Sequence, residues 1–193
     1  MIFILNVRRS AFIDHISETM SRFICILLTV FLGAISVAQS QIIKVDETKA
    51  SISFLFVDDD VEGTLSEFEF TGNIDLDNID SSVFSGTVLM ETLDTDNWFR
   101  DRHLRSKKYF YNKAHPKLVF KSNSIKGTGR EFVVHGDLTI KGITKPVAFT
   151  FSKLPGKLRG GTVLNASDFD ILIHNDTSRN MVNVYITLPY TID

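Results

Sequence analysis

Glu131-Phe132-Val133-Val134-His135-Gly136-Asp137-Leu138-Thr139-Ile140-Lys141-Gly142-Ile143-Thr144-Lys145-Pro146-Val147-Ala148-Phe149-Thr150-Phe151 is the stretch whose reading decides the fold. Phe132, Val134 and Leu138 fall on one side of an extended chain, and Val133, His135, Asp137 and Thr139 fall on the other. Side chains of a strand alternate faces with a period of two, so this spacing predicts a strand with one apolar face. Lys141-Gly142 is a turn signal, and Phe149 and Phe151 resume the alternation beyond it.

The same pattern extends in both directions. Ile52, Phe54 and Phe56 share a face, as do Phe68 and Phe70 around Glu69. Leu118 and Phe120 alternate with Val119 and Lys121, and Val182, Val184, Ile186 and Leu188 close the chain. Glu62-Gly63, Thr71-Gly72-Asn73, Lys126-Gly127-Thr128-Gly129, Pro155-Gly156 and Gly160-Gly161 punctuate these runs. Short strands at this spacing predict an all-β, antiparallel sandwich or barrel. One segment departs from it. Asp96-Asn97 can cap a helix over Trp98-Phe99-Arg100-Asp101-Arg102-His103-Leu104-Arg105, where Asp101 and Arg105 stand four apart. This helical insertion, near residues 97–111, either closes one end of a barrel or crosses its outer wall.

The 193 residues carry 21 Lys plus Arg against 23 Asp plus Glu, a net charge of -2, and 44% are hydrophobic. That excludes a disordered chain and argues against a nucleic-acid partner, which calls for a basic footprint. Phe23 to Ala38 is almost unbroken apolar sequence, preceded by Arg22 and ending in Ser36-Val37-Ala38. The layout predicts a cleaved signal peptide over residues 1–38, with Met20 as an alternative start, and a domain over 39–193. A membrane anchor is the competing reading, but the run of 16 residues is short of the ~18–20 that span a bilayer. The leader would take the only cysteine, Cys25, and four of the 16 phenylalanines, leaving twelve in a domain without disulfides.

Catalytic and metal-binding signals are weak. His103, His115, His135 and His174 are far apart, and no pair has zinc-helix spacing. Asp58-Asp59-Asp60 reads as an exposed acidic loop, and Asp94-Thr95-Asp96 fails as a calcium loop because Trp98 and Phe99 occupy the next positions. No metal site, cofactor or catalytic residue is expected.

Four motifs nevertheless carry a resemblance. They are Gly63-Thr64-Leu65-Ser66-Glu67-Phe68; Arg100-Asp101-Arg102-His103-Leu104-Arg105-Ser106 with Tyr109-Phe110; His115-Pro116-Lys117-Leu118-Val119-Phe120; and Gly136-Asp137-Leu138-Thr139-Ile140-Lys141-Gly142-Ile143-Thr144-Lys145-Pro146-Val147. In order and spacing they resemble the YceI-like family of exported lipid-binding proteins, from about Val45 to Leu188. The resemblance implies an eight-stranded antiparallel, lipocalin-like barrel around an apolar tunnel for a polyisoprenoid or similar amphiphile. It also implies a periplasmic or secreted location and no established catalytic set. The family often carries an Arg-Ser-Asp-Phe-Gly-like segment before the last strands. Here Ala166 and Asp170 replace its first and last residues.

An eight-stranded barrel is near the size at which its interior either packs solid or keeps room for one ligand. The strand residues Phe54, Phe56, Phe68, Phe70, Phe120, Phe132, Phe149 and Phe151 therefore either fill a core or line a tunnel, and the resemblance favours lining. Trp98, Leu104, Tyr109 and Phe110 are expected at the tunnel mouth. Arg100, Arg102, His103 and Arg105 are expected either to meet a ligand headgroup or to form an exposed helix face, with Asp101 orienting a neighbouring Arg. The leading function is binding of an isoprenoid, isoprenoid quinone or fatty-acid-like ligand in the cell envelope, with transient membrane contact and a homodimer as further expectations. An enzyme using His103 or His135 on a lipophilic substrate, and a solid-core envelope module, are the alternatives.

Overall fold

The computed structural model describes residues 41–128 and 130–192. The expected leader lies outside the described residues. Ten strands follow in order: β1 (Ile42–Val45), β2 (Ser51–Phe56), β3 (Val61–Leu65), β4 (Glu69–Asp75), β5 (Val83–Leu89), β6 (Lys117–Gly127), β7 (Glu131–Ile140), β8 (Ile143–Leu154), β9 (Lys157–Asn165) and β10 (Met181–Ile192). One helix, α1 (Trp98–Leu104), lies between β5 and β6. Among the described residues no helix is long and apolar enough to cross a membrane.

The ten strands build an eight-stranded barrel, because two wall positions are interrupted. β1 pairs with the end of β10 through Ile43–Ile192, Lys44–Thr191 and Val45–Tyr190, and β2 pairs with the earlier part of β10 from Val182 to Thr187. The chain bends between them in a short 3-10 turn, Glu47–Lys49. On the next position, β3 pairs with β2 and β4 pairs with β1. From β4 onward each strand pairs antiparallel with its successor, and the β1–β10 ladder closes the circle. Closure pairs β1 on both sides, and β3, at the end of the order, pairs with β2 on one side and makes a single bridge, Thr64–Asp94, on the other.

Alternation places the interior as the sequence predicts. Along β7, Phe132, Val134, Gly136, Leu138 and Ile140 are buried, while the residues between them are more exposed. β6 slips once, between Ser122 and Ser124, where Asn123 is an extra residue. The bulge lets both Phe120 and Ile125 face inward, although an odd number of positions separates them.

The interior has two unlike halves. At the Phe132 end, Ile43, Val45, Ile74, Ile125, Val134 and Leu158 are buried together in the larger cluster. Phe132 is 1% exposed and stacks on Phe151, with ring centroids 5.6 Å apart and planes at 11°. At the other end, the buried residues form a second cluster (Ile52, Leu65, Val88, Met90 and Leu93), set apart from the first. A cavity is lined by members of both clusters.

Candidate functional site: an apolar chamber at one end of the barrel

The cavity has a volume of about 480 Å3, within the range of small-ligand sites, and its lining is almost wholly apolar. β2 contributes Ile52, Phe54 and Phe56, and β10 contributes Val182, Val184, Ile186 and Leu188. Leu104 of α1 and the following Phe110 close one side, and Ile171 and Ile173 of the loop before β10 close another.

The phenylalanines keep the chamber open by lying against glycines of the wall. Phe151 is directly opposite Gly160 across the β8–β9 ladder, and Phe54 is directly opposite Gly63 across β2–β3. A methyl group at Gly160 would stand 2.4 Å from Phe151 Cε1, and one at Gly63 would stand 2.3 Å from Phe54 Cζ. The rings thus occupy the space that a side chain on the next strand would take, and they lie along the wall instead of across the lumen. Phe68 and Phe120 cover Gly86 and Gly136 in the same way.

Seven of the apolar residues expected at the tunnel wall or mouth reach the chamber: Phe54, Phe56, Phe120, Phe149 and Phe151 from strands, Phe68 from the connection between β3 and β4, and Phe110 from the segment after α1. Leu104 reaches it from α1. Phe132 does not, because it belongs to the solid end. Phe70 also lies off the chamber, packed between Phe68 and Phe84 at centroid distances of 6.5 and 5.8 Å. Trp98 is not at a mouth wall but points outward, 68% exposed, beside Phe99.

The expected headgroup residues divide in the same manner. Arg100 and His103 line the chamber. Arg100 is fixed by Thr95: its Nε donates to Thr95 Oγ1 at 2.8 Å and its Nη2 to the Thr95 carbonyl at 2.5 Å. Asp101 is buried and accepts from the Thr95 N–H at 3.0 Å and from Oγ1 at 2.5 Å. Asp101 therefore orients Arg100 through Thr95. The His103 ring meets Tyr109 edge-on, with centroids 5.0 Å apart. Arg102 is exposed away from the chamber. Arg105 does not pair with Asp101, although the two stand four apart: its Nη2 donates to the Leu93 carbonyl at 2.8 Å, and its Nη1 lies 3.5 Å from Glu91 Oε1. The buried Asp101 is already committed to Thr95, which leaves Arg105 to reach the opposite way.

Three features escape sequence reasoning. Thr95 reads as part of a failed metal loop, yet it is the buried hub of the α1 entry. Asp59 lies in an exposed turn, as its acidic run reads, but its contacts were not legible: it also lines the chamber and lies 2.8 Å from His174 Nε2, while its neighbour Asp58 pairs with Arg179 Nε at 2.6 Å. Asn180 is 0% exposed and organises the loop before β10. Its Oδ1 accepts from the N–H groups of Ile173 and His174, each at 2.9 Å, and its Nδ2 donates to the carbonyls of His174 and Asp176. No local pattern announces such a residue. The two departures also have structural roles here: Ala166 lines the chamber, and Asp170 takes a left-handed conformation (φ 55) that glycine adopts freely. Lys141 Nζ reaches the Asp170 carboxylate at 2.8 Å. Among the described residues no three His, Cys, Asp or Glu side chains converge as metal ligands.

An antiparallel eight-stranded barrel with an apolar chamber at one end defines a lipocalin-like architecture. Within it the chain belongs to the YceI-like family, whose domain matches residues 43–191. It is 40% identical over 85 residues to a UPF0312 protein of Photorhabdus laumondii, covering 44% of each chain. It is 36% identical over 95 residues to Protein YceI of Escherichia coli O6:H1, covering 49% of each. The matched stretch thus spans about half the length of these curated relatives. Among solved structures, BcnA of Burkholderia cenocepacia superposes with a TM-score of 0.67 at 22% identity, covering 75% of this chain and 98% of that one. A polyisoprenoid-binding domain from Saccharophagus degradans superposes with a TM-score of 0.53 at 12% identity, covering 80% and 100%. Both share the fold.

Proposed function

We propose that the protein binds a long apolar ligand in the chamber and leaves it chemically unchanged. The observation that carries this reading is an apolar cavity of about 480 Å3 held open by rings laid against glycines, where an ordinary core would close. Each methylene buried there contributes roughly 0.8 kcal/mol, so an extended chain binds with few polar contacts. An isoprenoid, an isoprenoid quinone or a fatty-acid-like amphiphile fits that requirement. The polyisoprenoid-binding neighbour supports the first. Arg100 and His103 supply the polar end, suited to a carbonyl, carboxylate or phosphate headgroup. With residues 1–38 acting as an export signal, the protein would transport, store or sequester its ligand in the periplasm or outside the cell, as a monomer or homodimer that touches membranes transiently. Organic extraction of protein purified from its native source, followed by mass spectrometry, tests the reading. A stoichiometric apolar compound is expected. Repeatedly empty extracts, or a compound recovered as a converted product, would overturn it.

A further inference from the structure

Trp98 and Phe99 are the most exposed of the large aromatic residues among the described residues, ahead of Tyr185. They are 68% and 71% exposed, at the start of α1, with ring centroids 5.1 Å apart. The other side of this seven-residue helix is occupied: Asp101 is buried, and the half-buried Arg100 and Leu104 line the chamber. Only one helical turn therefore separates the exposed pair from the cavity.

The charge around the pair is unlike that of the whole chain. Residues 98–113 hold Arg100, Arg102, Arg105, Lys107, Lys108 and Lys113 against Asp101 alone, while the chain as a whole carries -2. Including the exposed Asp94 and Asp96 just upstream, and Glu91, which Arg105 meets, still leaves more cations than anions. Arg102, Lys107, Lys108 and Lys113 are exposed, and none is in an ion pair among the described residues. Arg102 follows Trp98 by one helical turn, and His103 follows Phe99 by one turn. The His103 ring touches Tyr109, and Lys108 Nζ lies 5.0 Å from the Tyr109 ring centroid. Aromatic pair and cations thus form one continuous surface.

We infer that this surface docks on a bilayer of anionic phospholipid, with Trp98 and Phe99 entering the headgroup–acyl boundary and the surrounding Lys and Arg meeting lipid phosphates. Tryptophan is favoured at that boundary because its ring is apolar and its N–H is not. Cations near an anionic leaflet add an attraction that salt weakens. A second copy of the chain is the poorer occupant, since a two-fold contact here would bring two cation-rich segments together. The docking is a property of the surface and holds whatever the chamber carries.

Trp98 is the only tryptophan, so its fluorescence reports on this surface alone. The full chain is mixed with phosphatidylcholine vesicles containing about one third phosphatidylglycerol, with pure phosphatidylcholine vesicles as comparison. A blue shift and quenching by lipids brominated on their acyl chains are expected with the anionic vesicles and are lost in high salt. The double variant Lys107→Glu/Lys108→Glu, its fold checked by circular dichroism, is expected to lower partitioning at least about 10-fold. Phe99→Ser is expected to weaken quenching. Three results would overturn the inference: vesicle binding without a change in Trp98 emission, equal response to neutral vesicles, or a blue shift without vesicles that grows with protein concentration, which would assign the pair to a second copy. Extraction of the chamber's contents is a separate measurement, so loss of docking with ligand retained, or the reverse, is readable.

Discussion

Gly160 shows how one residue type decides whether phenylalanine fills a core or lines a cavity. The Phe151 ring lies where a Cβ of Gly160 would be, so Gly160→Ala must push the ring toward the lumen. Overpacking of this kind costs typically 1–3 kcal/mol, and the chamber narrows as well. Urea unfolding should show that loss, and the variant should retain less extractable ligand. In a Phe151→Leu background the same alanine should cost much less, a coupling that a double-mutant cycle reads directly. Equal cost in both backgrounds would show that the ring and the glycine do not constrain each other. The alternation made the inward phenylalanines legible in the sequence, with Phe132 and Phe151 on the same pattern. Nothing local distinguishes the ring that packs from the ring that lines, because the distinction depends on the residue opposite, on another strand.

At the scale of elements, two connections between strands are held by single polar side chains. The loop before β10 is organised by Asn180, whose side chain satisfies two N–H groups and two carbonyls. Asn180→Ala strands those groups, and each unsatisfied buried group costs about 1–3 kcal/mol. The expected result is a loss of at least about 2 kcal/mol, with faster amide exchange at Ile173 and His174 beside the chamber. The bend between β1 and β2 rests on Asp46, which accepts from Thr48 Oγ1 at 2.6 Å and Lys49 Nζ at 2.8 Å. These bonds, Lys49 first, hold its carboxyl at about 2, below its ordinary 3.8. A depressed carboxyl stabilises the fold above its unfolded pKa and loses that contribution as pH falls through the folded one. Wild type and Asp46→Asn should therefore differ in stability at pH 5 and converge between about pH 4 and pH 2, as urea titrations at each pH would record. The β-strands and α1 were readable from period and capping, and Asn97 does cap α1 through Phe99 and Arg100. The spacing of Asp101 and Arg105 suits the helix, but the two side chains do not pair, because Asp101 is buried and bonded to Thr95.

For the whole molecule, closure and the two-part interior matter most. Eight strands were implied by the family motifs and not by periodicity, which left sandwich and barrel open. The closing β1–β10 ladder involves residues almost 150 positions apart, a pairing that no window of sequence displays. A barrel packed solid over one half keeps that ladder, since Val45, Leu158 and Tyr190 belong to the solid end. The empty protein is thus expected to unfold cooperatively and to be folded without its ligand. Adding ligand at a hundred times its dissociation constant should then raise stability by about 2.7 kcal/mol, a midpoint rise of roughly 5–10 °C for a domain of this size. Differential scanning calorimetry across a ligand series would measure it, and an apo form that shows no cooperative transition would contradict it.

The laying of rings on glycines has a consequence for selectivity. Aromatic faces held flat along a wall present a smooth, hydrogen-bond-poor surface with no notch for any particular branch or double bond. Such a lining ranks ligands by the apolar area they bury, and leaves discrimination between chemical kinds to the few polar groups around Arg100. Across a homologous series with one headgroup, affinity should climb with chain length until the solid end is reached, and then stop.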